Sequence, residues 1–385
     1  MKNNLCLLVL ENVFFVDNKN NIYSEGPFDN EFFEPYLKVY NKILLCARIK
    51  VIDNTQNYKK LSNTQIVACG LPYYNGLLKF IKKIPKLTYV LSKKIKPEIA
   101  IILRLPGLLG ILSFLILSIK NCNYKCEFIG DSEFIFDNYT RFRLINNLLN
   151  KVFLVIHKVI AYYSTNCSYV NRNVLPYKYR SRNQKNCFVY SSIVLHPENI
   201  ISCNTKKFKL NPLNLITCGS LANNHKGMDY LIEELLQLKN KNVEYKCKII
   251  GDGSLKQSLE QKAKQLKLEG VTFLGKISKE DVINEMNKAE IFLLCSRTEG
   301  TPRVLIEAMS RGLICFGSRV GGIPNLLSEP YLFNLASNNE LSDRVFMYLN
   351  KAQKDIIADS NTNISKATEF AFPLLRKKRI LFYTN

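Results

Sequence analysis

Two glutamates, Glu299 and Glu307, stand eight positions apart across the turn Gly300-Thr301-Pro302-Arg303. A Gly-Thr-Pro turn ahead of an apolar-periodic run opens a helix. Thr301 suits its N-cap and Pro302 its first position, where the missing N–H would be unbonded anyway. The free amides of such a helix start attract phosphate. Glu307 then lies roughly 7 Å further along the axis, from a rise of ~1.5 Å per residue. That is within reach of two cis hydroxyls of a ribose. Glu299, on the loop side, could hold a second polyol. Lys226-Gly227 precedes another helix start, where a lysine sets a point charge against a diphosphate. These residue types and spacings suggest a nucleotide-sugar site.

The elements that must position them alternate along the second half of the chain. Strand patterns at 213–218, 245–250, 271–274, 291–295 and 313–316 are separated by helical patterns at 229–238, 255–267, 279–288 and after Pro302. Such alternation implies a parallel sheet covered on both faces, with ligands at the carboxyl ends of its strands. Gly219, Gly251, Gly253, Gly275, Gly300 and Gly317 all fall at strand ends. Gly251-Asp252-Gly253 is placed to border the nucleobase or ribose, and Gly275-Lys276-Ile277 to offer backbone groups to the base. Gly321-Gly322-Ile323-Pro324 reads first as a tight turn.

The first half is less regular. Strands are expected at 5–10, 43–49 and 99–103, with weaker candidates at 67–71 and 127–129. A helix over 150–163 should lead to a strand at 168–170. This makes a second α/β domain, joined by a polar linker over 197–212. Arg104 and Asp131 close apolar strands and are candidates for the acceptor side; a buried salt bridge or a surface turn serves as well for either. Glu31, Glu34 and Arg48 are further polar candidates.

A chain of 385 residues accommodates two ordinary domains. Lysine and arginine outnumber the acids 54 to 32, a net +22. Nine lysines and no acid occur between 59 and 96. The segment 79–96 mixes lysine clusters with apolar residues, which suits an anionic membrane surface or a solvated helix face. Residues 105–119 are almost wholly apolar but too short to span a bilayer. They read first as a buried helix and second as an in-plane membrane contact. Twelve cysteines behind a signal-free start read as reduced, cytoplasmic thiols. The three histidines have no metal-site spacing. No aromatic-interleaved basic platform argues for nucleic acid, although a basic nucleic-acid-binding protein is one alternative that the net charge raises.

Taken in order, Gly219-Ser220-Leu221 with Lys226-Gly227, Ile249–Gly253, Phe273-Leu274-Gly275, Glu299–Met309 and Val320–Pro324 resemble glycosyltransferase family 4. The match covers about residues 213–327. Looser likenesses at Tyr23–Gly26 and Arg104-Leu105-Pro106 are similar to transferases of bacterial capsule, O-antigen and exopolysaccharide synthesis. The resemblance implies an α/β GT-B fold, two Rossmann-like domains facing a cleft, with a C-terminal helix crossing back. The expected divisions are an acceptor domain over 1–200, a donor domain over 201–365, and a crossover helix and tail over 366–385.

The resemblance implies a retaining, metal-independent hexosyl transfer without a cofactor, from a nucleotide sugar such as a UDP-sugar to a saccharide or lipid-linked saccharide. Glu299 and Lys226 would be catalytic. Gly219, Ser220, Lys226, Gly251, Gly253, Gly275, Glu299, Gly300, Thr301, Pro302, Arg303 and Glu307 would bind the donor. Many members carry arginine where this chain has Ser220, which throws more of the diphosphate onto Lys226 and Arg303. No histidine here matches the family's N-terminal-domain histidine. The enzyme is expected in the cytoplasm, at the inner face of the membrane. A GT-B nucleotide-sugar epimerase is the other enzymatic reading.

Overall fold

The structure is a computed structural model that describes residues 5–25, 28–56, 58–133, 135–136, 142–182 and 187–385. Gly26, the last residue of the Tyr23–Gly26 likeness, lies outside them. The chain divides into two compact units, Met1–Val194 with Leu375–Asn385, and Leu195–Leu374.

The first unit contains β1 (Cys6–Val16), β2 (Ile22–Ser24), α1 (Asn30–Leu37), β3 (Ile43–Val51), β4 (Lys59–Lys60), β5 (Ile66–Ala68) and β6 (Leu71–Pro72). It continues through α2 (Leu77–Lys94), β7 (Ala100–Leu105), α3 (Leu108–Ile119), β8 (Lys125–Phe128), α4 (Arg143–Tyr163), β9 (Asn166–Tyr169), α5 (Leu175–Lys178) and β10 (Phe188–Val189). The parallel part of its sheet runs β10-β9-β8-β7-β1-β3, with β5 and β6 beyond β3. β1 is longer than its apolar run foretells. A register shift between Val9 and Val13 lets its far half pair with β2 in an antiparallel hairpin. Helices α2, α3 and α4 cover one face through Phe80, Leu87, Leu91, Leu109, Ile116, Ile160 and Ala161. The reading of 105–119 as a core helix therefore matches the buried side of α3.

Residues 375–385 complete the first unit. All but Asn385 belong to α12 (Phe372–Thr384), whose Tyr383 ring stacks on Tyr36 of α1 at 4.4 Å. Glu127 of β8 is buried and accepts hydrogen bonds from the hydroxyls of Tyr36 (2.6 Å), Tyr190 (3.0 Å) and Tyr383 (2.7 Å). It also pairs with Arg104 at 2.9 Å. Burial opposes ionisation of Glu127, but Arg104, Arg379 and the tyrosine hydroxyls outweigh it and hold the carboxyl below its usual range. Arg379 donates to the Phe32 carbonyl at 3.1 Å, and Arg376 grips Glu34 through two bonds of 2.7 and 2.6 Å.

The second unit contains β11 (Leu213–Cys218), α6 (Met228–Asn240), β12 (Tyr245–Ile250), α7 (Lys256–Gln265), β13 (Val271–Gly275), α8 (Lys279–Lys288) and β14 (Ile291–Leu294). Then follow α9 (Arg303–Ser310), β15 (Ile314–Ser318), β16 (Leu332–Phe333), α10 (Glu340–Leu349) and α11 (Gln353–Thr368). All six strands are parallel, in the order β13-β12-β11-β14-β15-β16. This is the doubly wound order, and the direction of winding reverses between β11 and β14. The polar segment over 197–212 is not a free tether. Ile201 N–H donates to Ser310 at 3.0 Å, Arg311 reaches the Asn199 carbonyl at 2.8 Å, and Lys206 reaches that of Asn287 at 2.9 Å.

Candidate active site

At the switch point of the second sheet, the loops after β11 and β14 lie side by side. Asn223 accepts from the His225 N–H at 3.1 Å and opens a single 3-10 turn that ends at Lys226. Gly227 then reverses the chain at φ 60° into α6, where a Cβ would fall 1.9 Å from the Cys295 carbonyl oxygen. The neighbouring loop is tied to this turn by Arg297, whose N–H donates to the His225 carbonyl at 2.7 Å. The Arg297 guanidinium grips Asp229 with bonds of 2.8 and 2.9 Å. Burial works to raise the Asp229 pKa, but the Arg297 and Asn224 hydrogen bonds overcome it and hold the carboxyl below its ordinary value.

These restraints bring together two residues that lie 73 positions apart. The Lys226 Nζ sits 2.5 Å from the Glu299 Oε1, which also accepts from the Ser296 hydroxyl at 2.7 Å. The Lys226 stem lies over Gly219, where a Cβ would come within 2.9 Å of its Cγ. Ser220 is exposed, and its hydroxyl accepts from the Ala222 N–H at 3.3 Å. The other glycine turns are laced to this loop. Gly219 N–H donates to Ile250, Leu221 N–H to Asp252 and Gly251 N–H to Gly275, each at 2.9 Å. Gly253 follows in the same turn. Behind the Glu299-Gly300 backbone, Gly321 adopts φ 51°, and a Cβ there would meet the Glu299 carbonyl at 1.8 Å. Any side chain would push the carboxylate loop out of place.

Helix α9 begins one residue later than the turn chemistry suggests. Pro302 is extended, with φ −71° and ψ 104°, so it flanks the helix and Arg303 is its first residue. Thr301 therefore lies in the approach to the helix and not at its cap. The start of α9, with Gly300, Thr301 and Arg303, still lies beside the switch point. Glu307 sits one turn in. Burial raises its pKa, and the positive charges of Lys279 and Arg303 partly counter that. Cys218, at the carboxyl end of β11, locates the group. Its thiol is pushed up to about 11 by burial and then by the Glu307 carboxylate, while Lys226 pulls the other way. Glu307 and Lys226 thus both act electrostatically on the carboxyl end of β11.

Sequence reasoning did not single out Ser296, Arg297, Asp229 or Lys279. Arg297 and Asp229 meet across the two loops, Ser296 bonds to Glu299 within one loop, and Lys279 acts on Glu307 by charge from the start of α8. In the first unit, Arg104 is occupied by the buried Glu127 cluster. Asp131 receives Lys178 and the Tyr179 hydroxyl, each at 2.6 Å, and so closes the loop after β8. His157 is buried, with its pKa driven down to about 4 by that burial. Its Nε2 accepts from the Gly107 N–H at 3.3 Å, ahead of α3. Glu11 was also missed. It lies in the irregular part of β1, beside the switch point between β1 and β7. There it accepts from the Leu109 N–H at 2.9 Å and from the Tyr74 hydroxyl, with Arg48 at 3.8 Å.

A doubly wound sheet with a lysine, two glutamates and a helix start at its switch point, in one chain with a second, mostly parallel α/β sheet, is the two-sheet arrangement of the GT-B fold. Residues 212–350 match the family described as "Glycosyl transferases group 1". Protein CapJ of Staphylococcus aureus is 24% identical over 372 residues, 95% of this chain and 92% of CapJ. Among solved structures, sucrose-phosphate synthase from Thermosynechococcus elongatus superposes with a TM-score of 0.67 at 14% identity, over 99% of this chain and 95% of its own. Anabaena HepE, solved in complex with UDP-glucose, gives a TM-score of 0.65 at 15% identity, over 97% and 98%. The chain is therefore similar to the group 1 glycosyltransferases over residues 212–350 and has the GT-B fold over nearly its whole length.

Proposed function

We propose that the enzyme transfers a hexose-type sugar from a UDP-sugar to a saccharide or lipid-linked saccharide acceptor, with retention of configuration and without a metal, in surface-polysaccharide synthesis. The observation that carries this reading is the Lys226–Glu299 contact at the switch point, with Glu307 on the adjoining helix. The likeness to CapJ supports the polysaccharide setting, and the UDP-glucose held by the HepE fold supports the donor class. Twelve free thiols suit a reducing compartment, which supports a cytoplasmic location at the inner face of the membrane as part of this proposal.

As the sugar–oxygen bond breaks, negative charge grows on the departing diphosphate while the sugar becomes oxocarbenium-like. Lys226, Arg303 and the amides at the start of α9 offer fixed positive potential where that charge develops. Glu307 accepts the ribose hydroxyls, which fixes the nucleoside. Glu299 accepts sugar hydroxyls and at the same time holds the Lys226 ammonium in position, so donor orientation and charge stabilisation share one carboxylate. A panel of UDP-, GDP- and ADP-sugars, screened by thermal stabilisation and then by transfer to saccharide acceptors, tests the reading. Stabilisation by a UDP-sugar followed by sugar transfer is the expected result. Isomerisation of the donor without transfer would replace this reading with an epimerase.

A further inference from the structure

Helix α4 has two apolar sides. Asn146, Asn150, Phe153, His157, Ile160 and Ala161 face the first unit's core. On the opposite side Leu144, Leu148, Val152, Val155, Val159 and Tyr162 face outward, with Leu144 84%, Leu148 63% and Val155 58% exposed. Spacings of three and four place these six on one stripe along the helix. A single exposed leucine is ordinary, but a stripe five turns long is not. Among the described residues, α4 is the one helix long and apolar enough to cross a bilayer, yet 33% of it is buried in the unit's own fold. Its inner side is already taken, so it is built to lie along a surface and not to span.

The charge around the stripe says what kind of surface. Helix α3 touches both α2 and α4, and all three contribute to the same core, so their outward sides form one layer. That layer holds six lysines on α2 and three basic residues on α4, Arg143, Lys151 and Lys158, with no acid on any of the three helices. Leu115 and Ile119 of α3 and Leu78, Ile81 and Tyr89 of α2 are exposed among them. We propose that the outward stripe of α4 inserts in plane into the headgroup region of an anionic bilayer, with the lysines of α2 held against its phosphates. Apolar area sets the depth and the basic residues set the preference for anionic lipid. The basic segment 79–96 is then the electrostatic half of a contact whose anchoring half is α4.

The test is flotation of the full chain with vesicles of phosphatidylcholine alone and of phosphatidylcholine mixed with phosphatidylglycerol, at low and high salt. The wild-type protein should float with the mixed vesicles, less so at high salt. A triple variant, Leu148→Glu, Val152→Glu and Val155→Glu, should lose more than about a hundredfold in partitioning, because three apolar contacts become carboxylates facing an anionic surface. Lys82→Gln with Lys83→Gln and Lys86→Gln should weaken binding only at low salt. Unchanged melting temperature and unchanged stabilisation by UDP would show both variants folded, and neither set touches the donor residues. Wild-type protein that stays out of both vesicles, or a glutamate variant that floats as well as wild type, would overturn the proposal. So would light scattering that finds a dimer which the glutamate variant dissolves, because a second copy would then cover the stripe.

Discussion

Replacing Lys226 by alanine separates the two roles proposed for it. In the free enzyme its ammonium is already neutralised by Glu299 at 2.5 Å, and the two side chains are only 25% and 11% exposed. Ground-state attraction for the donor diphosphate is therefore offset by the contact with Glu299. The advantage emerges as charge accumulates on the departing phosphate, where a single fixed donor in a water-poor site is worth about 2.7–4 kcal/mol, or roughly 10²–10³-fold in rate. Lys226→Ala should lower kcat by that factor and change the donor KM by no more than about threefold. Thermal stability should change little, because a partly exposed ion pair contributes only about 0–1 kcal/mol. The assay is steady-state release of the nucleoside diphosphate with the donor found by the panel, together with a Lys226→Ala/Glu299→Ala double-mutant cycle. Coupling well above zero is expected from residues in contact. A raised KM with an unchanged kcat would refute the reasoning, because it would make Lys226 a uniform binding group. Strict additivity in the cycle would refute the shared role of Glu299.

Three other outcomes follow from the site. Gly227→Ala should cost more than about 2 kcal/mol, because its left-handed φ and the Cys295 carbonyl leave a Cβ nowhere to go; an unchanged urea midpoint would contradict that. Glu307 ionises less readily than an ordinary carboxyl of value 4.5, so donor affinity should fall on acidification from above that value. Glu307→Gln should bind about tenfold more weakly and without that pH dependence, which calorimetric titration reads. Asp229 sits below its ordinary 3.8, so its stabilising contribution is present above that pH and is lost as pH falls through the folded value. Asp229→Asn should flatten this acid limb in denaturation curves collected down to pH values below 3.8.

The second unit was legible because parallel strands buried on both faces read as continuous apolar runs, such as Ile291–Leu294, each closed by a loop that carries the chemistry. The glycine, lysine and glutamate motifs fall on those loops, so their places along the chain were readable, whereas the Lys226–Glu299 contact was not. It depends on β11 and β14 being neighbours, a pairing no local pattern states. The first unit was harder. The irregularity in β1 hides a strand that continues to Val16, and two-residue strands such as β6 leave no period to find. Helix α4 begins at Arg143, seven residues before its recognisable stretch, because apolar residues on both sides blur the helical period. Arg104 was noticed as a strand-end cation, but its partner Glu127 and the surrounding Tyr36, Tyr190 and Tyr383 come from four distant places in the chain.

The Glu127 cluster also bears on how the protein is made. Tyr383 and Arg379 fill the interior of a unit whose other residues leave the ribosome nearly two hundred positions earlier. Until those late residues emerge, the Glu127 carboxylate lacks one hydroxyl and one guanidinium partner, and the Tyr36 ring lacks its stacking partner. The first unit is therefore complete only once the end of the chain has been made. A transcript cut short before residue 375 yields an unfinished interior, which degradation can distinguish from the finished chain.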